Sequence, residues 1–400
     1  MAKRLWRLHS LLGLIGGLFL LAIGLSGSAL VFADELDVLL HPQLRRVTPQ
    51  PGATLDFDRI HAAVRERWPN AWGVRFRRLP QAPGETVQMS INRNSERMAD
   101  DWFFVYVHPH TAEILGWKHA LGGYGFAHNP VDWLLWFHYS LHAGKGGEVI
   151  VAAMSIVLIG SVLTGGWIYR RQFRRGLLLR VRFRGCSPRK RWADVHGIIG
   201  VWSLLLNLVL GSTGFWITRS VWSAEYLLAS TSVVEARAPT PAPAATYNAA
   251  MAELARELPD FLPAGISAIT STADDYRIYG RLRSEPLLFG SASSEVMIDG
   301  SSGRIKATSF ISQKPLAEQL GSAAAPLHFG NFGGLPIKIL WCLGGLAPGA
   351  LAMSGIVIWR SRLRGGAARS VRPVQVAIPG GVGLCKASCT KERAAGRPGL

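Results

Sequence analysis

Four stretches of the chain are apolar runs with a single charge among them, Lys338: Leu11–Phe32, Val149–Tyr169, Ile198–Ile217 and Leu335–Trp359. Each is close to the length of about 20 residues that a helix needs to cross a hydrocarbon layer roughly 30 Å thick. The pattern between them differs in kind. After the first and third runs comes a helical periodicity, at Phe57–Trp68 and Tyr247–Leu258, followed by short alternating segments of strand type. In Val105–Ile114 and Val296–Ile305 the alternation straddles a Pro or Gly turn, which predicts a hairpin with one buried face. The predicted fold class is an α+β membrane protein with four transmembrane helices and an α+β domain in each of two long outer segments.

The boundaries follow from these runs. They are an N-terminal segment with the first span (1–32), a first outer domain (33–130), a pre-helix and second span (131–169) and a basic loop (170–195). The second half has a third span (196–218), a second outer domain (219–326), a pre-helix and fourth span (327–360) and a tail (361–400). Lys3, Arg4 and Arg7 precede the first run as in a signal peptide. The run continues into Asp34 and Glu35 without a small-residue cleavage site, which predicts a retained anchor.

Charge adds orientation to this picture. The net charge of +18 is concentrated beside the spans. From Arg170 to Arg191 there are ten Lys/Arg and no acid before Asp194, and Arg360, Arg362 and Arg364 follow the fourth run. By the positive-inside rule both termini and this loop are cytoplasmic. Basic residues so placed serve topology and contact with anionic lipid headgroups, and they predict no nucleic-acid partner. Neither outer domain contains a cysteine, so no disulfide framework is implied. The Gly/Pro/Arg-rich stretch 365–400, with Cys385 and Cys389, is predicted to lack fixed structure.

Self-similarity changes the picture most. His9-Ser-Leu-Leu-Gly13 is echoed by His196-Gly-Ile-Ile-Gly200, Gly24 by Gly211, Ser26 by Thr213 and Gly27 by Gly214, all at an offset of 187. Leu163-Thr164-Gly165 matches Met353-Ser354-Gly355 at an offset of 190, which also carries His138 onto His328. The hairpins repeat at 191. The chain therefore reads as a tandem repeat. Two spans separate equivalent points, so the halves share an orientation and the implied pseudo-twofold axis lies along the membrane normal.

Such an axis pairs histidines. His9 and His196 lie at the cytoplasmic ends of the first and third spans, and His138 and His328 lie just outside the second and fourth. Two facing imidazoles are the axial ligand set of a low-spin b-type haem, so two haems b are predicted. Gly13 and Gly200, one turn after His9 and His196, lack the Cβ that would keep a flat macrocycle from the helix. The outer ligand has two candidates. The offset selects His138 as the partner of His328, whereas the motif Leu141-His142-Ala-Gly against Leu327-His328-Phe-Gly selects His142. In the first reading His142 donates to a propionate or substitutes as ligand. His41, His61, His108, His110, His119 and His128 have no equivalents in the second half and read as solvated or structural. No nucleotide-binding, zinc-protease or nucleophile-elbow motif is present, and no catalytic side chain is assigned.

One distance resists this reading. His138 to Arg170 is 32 residues, or about 48 Å of continuous helix. Gly144-Lys-Gly-Gly147 and Gly330-Asn-Phe-Gly-Gly334 are the places where the helices can break and bring the outer histidines down to the membrane.

The chain resembles the PepSY-associated transmembrane family, which includes iron-regulated membrane proteins and ferric-siderophore reductases. The resemblance covers about residues 4–364. It is carried by Leu8-His9 through Phe32-Ala-Asp-Glu-Leu36, Phe137-His138-Tyr-Ser-Leu141, Asp194-Val-His196-Gly and Leu327-His328-Phe-Gly-Asn-Phe-Gly-Gly334. Val105–Gly116 and Val296–Ile305 are similar to the core of a PepSY domain, with Ala112 where glycine is usual. The resemblance implies a multi-pass protein of the bacterial inner membrane with two periplasmic PepSY-like domains. It also implies electron transfer through two haems to a periplasmic ferric siderophore or similar chelate, a haem-dependent reductase activity that releases Fe(II). No flavin or nicotinamide domain is fused here, so the implied donor is a separate cytoplasmic reductase or a membrane quinol. The alternative is a membrane-anchored PepSY-domain binding or regulatory protein without redox activity. A transporter ranks behind both, because charge within the spans is sparse and no polar, ion-binding path is visible there.

Overall fold

A computed structural model describes residues 2–50, 55–93, 102–120, 125–127, 129–180, 187–223, 245–269 and 275–370. Cys186, His128 and the stretch from 371 with Cys385 and Cys389 lie outside the described residues. The chain begins with helix α1 (Ala2–Leu30), the short helices α2 (Ala33–Leu40) and α3 (Pro42–Arg45), and α4 (Phe57–Arg67). Four strands follow: β1 (Trp72–Arg78), β2 (Val87–Asn92), β3 (Trp102–Val107) and β4 (Ile114–His119). Next come α5 (Pro130–Ser140), α6 (Gly144–Tyr169), α7 (Phe173–Leu177) and α8 (Pro188–Ile217). The remainder comprises α9 (Tyr247–Glu257), β5 (Phe261–Ile269), β6 (Asp275–Leu282), β7 (Ser294–Ile298), β8 (Ile305–Ser309), α10 (Leu316–Phe329) and α11 (Gly334–Ser370).

Helices α1, α6, α8 and α11 are long and apolar enough to cross a membrane. Their burial is inverted relative to a soluble bundle. Ile15, Leu18, Leu163, Leu205 and Leu343 are exposed, whereas Ser26, Ser28, Thr164, Ser203, Asn207, Thr213 and Ser354 are buried. Apolar residues outside and small polar residues between helices suit a lipid surround, where packing and hydrogen bonding hold helices together. The chain is a membrane protein and its spans contact lipid. Glycine sets the closest approach: a Cβ on Gly24 would lie 2.5 Å from the Gly345 carbonyl of α11, and one on Gly211 2.9 Å from Ile159 of α6. These two glycines, which the repeat aligned with each other, are used in helix packing.

The eight strands form one sheet in the order β4-β3-β2-β1-β5-β6-β7-β8, with every neighbouring pair antiparallel. Two meanders thus join at β1 and β5, where Phe76 lies opposite Ile266. The outer segments, expected as two domains, share this sheet and one apolar core in which Ile60, Phe76 and Met89 meet Leu254, Ile266 and Ile278. The helices over that core cap one another. Asp58 of α4 accepts from the Tyr247 and Asn248 amides at the start of α9, at 2.8 and 3.1 Å, and Asn248 Oδ1 accepts from the Phe57 amide at 2.8 Å. The first-turn amides of each helix, which have no partner within it, are thereby met by a side chain of the other.

Both expected hairpins form, β3–β4 and β7–β8. Their turns place Ala112 at φ +60° and Gly303 at φ +70°. The expected helix breaks are also present. Leu141 and His142 between α5 and α6 and Gly144 opening α6 have φ of 51°, 55° and 55°, and Gly330 after α10 and Gly334 opening α11 have φ of 69° and 66°. The fold-back is tight: a Cβ on Gly147 would lie 1.6 Å from the Ser140 carbonyl. Helix α5 consequently lies against α1, and α10 against α8. Helix α11 runs on to Ser370, past the point where the sequence predicts structure to end.

Candidate functional site: two facing histidine pairs

Near its N-terminal end α1 presents His9, and α8 presents His196 at the equivalent place. Their ring centroids are 6.2 Å apart with planes at 83°. The fold-back brings α5 and α10 to the other end of the bundle, where the His138 and His328 rings are 6.3 Å apart at 50°. His138 reaches the level of Ser26, 17 residues beyond His9 on α1. The two levels are therefore about 25 Å apart along that helix, half the span of a continuous α5–α6 rod.

Each histidine is held the same way. His9 Nδ1 lies 3.0 Å from Thr164 Oγ1 of α6, and His196 Nδ1 lies 2.8 Å from Ser354 Oγ of α11. His138 Nδ1 lies 3.0 Å from Ser26 Oγ of α1, and His328 Nδ1 lies 3.1 Å from Thr213 Oγ1 of α8. In all four cases the residue after the hydroxyl is a glycine on which the imidazole rests. A Cβ there would come within 2.7 Å of His138 Cε1 (Gly27), 3.0 Å of His9 Cε1 (Gly165), 3.2 Å of His328 Cε1 (Gly214) and 3.8 Å of His196 Cε1 (Gly355). The sequence comparison had these Ser/Thr-Gly dipeptides as landmarks of the repeat only. A hydroxyl-glycine pair in every span was the signal that they receive something.

The pairs fit a porphyrin-held iron. A metal–imidazole bond is about 2 Å and a ring nitrogen sits about 1.1 Å from its centroid, so two imidazoles that shared one iron would have centroids about 6.2 Å apart. Both pairs meet that spacing. Among the described residues no group of three or more His, Cys, Asp or Glu is arranged to hold a metal by itself. Two imidazoles suffice when a macrocycle supplies the other four ligands. A Cβ on Gly13 would meet nothing within 4 Å, and one on Gly200 only Leu351 at 3.8 Å, so the helix face one turn from each inner histidine is open.

The structure brings His138, and not His142, opposite His328. The His142 ring packs among Trp133 at 4.3 Å, Trp136 at 5.1 Å and Phe137 at 5.9 Å, with its Nε2 buried and unpartnered. The remaining described histidines have local contacts, the His110 ring lying 5.9 Å from that of His108. His41 bonds Asp37 at 3.1 Å, His61 packs on Tyr247, His119 packs on Phe103, and His108 accepts amides of its own turn.

A buried ionic cluster absent from the sequence reading ties the sheet to the outer pair. Asp37 of α2 accepts from Arg45 at 2.9 Å and from Lys118 of β4, and Lys118 lies 3.5 Å from Asp132 in the first turn of α5. Burial works against the Lys118 ammonium, yet Tyr106, Asp132 and Asp37 together hold its pKa above the ordinary lysine value. Burial likewise raises Asp132, with Lys118 opposing. Helix α5, which carries His138, is thus anchored at its start by charges that have little access to water.

A family model described as the PepSY-associated TM region matches residues 6–362. The chain belongs to this family. No match to it is found among curated proteins. All four paired histidines and all four hydroxyl-glycine dipeptides of this PepSY-associated TM protein fall inside the matched region.

Proposed function

We propose that this PepSY-associated TM protein is a di-haem b electron carrier of the bacterial inner membrane that reduces a periplasmic ferric siderophore or similar ferric chelate. The observation that carries the reading is the pair of facing imidazole pairs, each at the centroid spacing of bis-histidine ligation. His9 and His196 would hold the inner haem, and His138 and His328 the outer one. Bound there, each haem supplies a one-electron couple. The chain's own part is to hold the four imidazoles neutral, keep them between apolar helices and place the outer pair beneath the sheet. One electron converts Fe(III) to Fe(II), which hard oxygen ligands hold far less firmly, so the chelate releases its metal. The donor is a separate cytoplasmic reductase or a membrane quinol.

A pseudo-twofold relation between the halves, along the membrane normal, is part of the proposal. It is supported by the Phe76–Ile266 pairing at the repeat offset of 190, by the mirrored strand order and by the exchanged caps of α4 and α9. The placement of both termini in the cytoplasm rests on the arginines flanking the spans. The test is the visible spectrum of purified protein with its pyridine haemochrome. Two haems b per chain, oxidised on addition of a ferric siderophore, are expected. Protein produced with ample haem that carries none would overturn the reading.

A further inference from the structure

We infer that Ser26, Thr164, Thr213 and Ser354 are positioning residues that fix the tautomer of the four histidines and strengthen them as iron ligands. The inference rests on the di-haem reading. Each hydroxyl already donates its hydrogen to the carbonyl four residues back: Ser26 to Ala22 at 2.9 Å, Thr164 to Gly160 at 2.6 Å, Thr213 to Val209 at 2.7 Å and Ser354 to Ala350 at 2.8 Å. A hydroxyl so engaged has only its lone pairs left for the imidazole. A carbonyl one turn away makes the same demand. Ile23 O lies 3.0 Å from His138 Nδ1, and the backbone of Ser161, Leu210 and Leu351 also hydrogen-bonds the His9, His328 and His196 rings. A carbonyl can only accept. The hydroxyl therefore requires the proton on Nδ1 of every ring, as the carbonyl does at His138, which leaves Nε2 with a free lone pair on the other side.

A small residue at a helix contact would by itself explain a serine or threonine facing inward. It does not explain why four of them, on four helices, each lie 2.8–3.1 Å from the same ring nitrogen of a histidine from another helix. The arrangement is also reciprocal. Helix α1 gives His9 to Thr164 of α6, and the α5 arm leading into α6 gives His138 to Ser26 of α1. The second half does the same with α8, α10 and α11. The inner pair is consequently held by all four spans. Donation from Nδ1–H makes the opposite nitrogen a stronger donor to a metal, which favours Fe(III). A neutral hydroxyl acts more gently than a carboxylate and leaves the imidazole neutral.

The test uses the full-length protein with two double variants, Thr164→Val with Ser354→Ala, and Ser26→Ala with Thr213→Val. Redox titration followed at the α-band and haem transfer to an excess of apomyoglobin are the readouts. The first variant is expected to raise the midpoint potential of one haem and to release it about 10-fold faster, the low end for loss of an outer partner because the carbonyl remains. The second variant should do this to the other haem. Thr164→Ser and Thr213→Ser should restore parental behaviour, which separates lost hydrogen bonding from disturbed packing. Potentials and release rates unchanged in both double variants overturn the inference while leaving the di-haem reading intact. A parent protein without haem overturns both.

Discussion

His138 sits on Ser26, its Nδ1 3.0 Å from the hydroxyl, across 112 residues of chain. This contact joins the arm before the second span to the outer end of the first. It exists only because the backbone reverses at Leu141 and His142. Which histidine faces His328 depends on it: the same reversal that aims His138 at His328 turns His142 into the tryptophans.

Single substitutions should therefore sort into two groups. His9→Ala and His196→Ala are expected to remove one and the same haem, and His138→Ala and His328→Ala the other, each leaving about one haem per chain in the pyridine haemochrome assay. His142→Ala is expected to keep both. A His142 variant that loses the outer haem while His138→Ala keeps it would reverse the assignment.

Gly27→Ala tests the seat beneath His138. The added methyl would lie 2.7 Å from Cε1, inside van der Waals contact, so the ring must move off its line to His328. The expected result is selective loss of the outer haem with the inner spectrum retained. At Gly355 the corresponding distance is 3.8 Å, and Gly355→Ala should leave the inner haem in place.

Ala112 occupies a left-handed turn position where its counterpart Gly303 carries no Cβ. A non-glycine residue there costs roughly 1–2 kcal/mol, partly offset by the entropy that glycine loses on folding. Ala112→Gly should stabilise the sheet by about 1 kcal/mol, read as a rise in its melting temperature.

His61 gives the outer unit an acid sensitivity. Burial first, and then Arg65, lower its pKa from 6.5 to about 4, with Asp58 opposing. The unfolded chain takes up this proton near pH 6.5 and the folded chain only near 4, so its contribution to stability falls as pH drops through that window. Thermal melting from pH 7 to 4 should decline, and His61→Gln should flatten the decline. An equal slope in the variant would assign the sensitivity elsewhere.

Asp37→Asn would leave Lys118 and Arg45 buried with one carboxylate fewer. Breaking a buried ion pair from one side costs about 3 kcal/mol or more. Because Asp132 shares Lys118, the start of α5 should loosen too. Amide hydrogen exchange in 130–140 is the measurement, with faster exchange there expected.

The sequence by itself determined the four spans, the two hairpins, the helices over the sheet and the matching of His9 with His196, and it left His138 and His142 as the two candidates to face His328. Those features are written in local hydropathy, in period and in offsets of 187 to 191 between halves. Tertiary structure alone decided that both outer segments share one sheet, because a free strand edge does not name the edge it will meet. It also decided that Ser26, Thr164, Thr213 and Ser354 receive the histidines. An offset relates equivalent residues of the two halves, whereas these contacts join different positions within one half. The Asp37 cluster was hidden for the same reason: Asp37, Lys118 and Asp132 are ordinary surface residues in one dimension. Only packing α2 and α5 against β4 removes the water that would otherwise keep them apart.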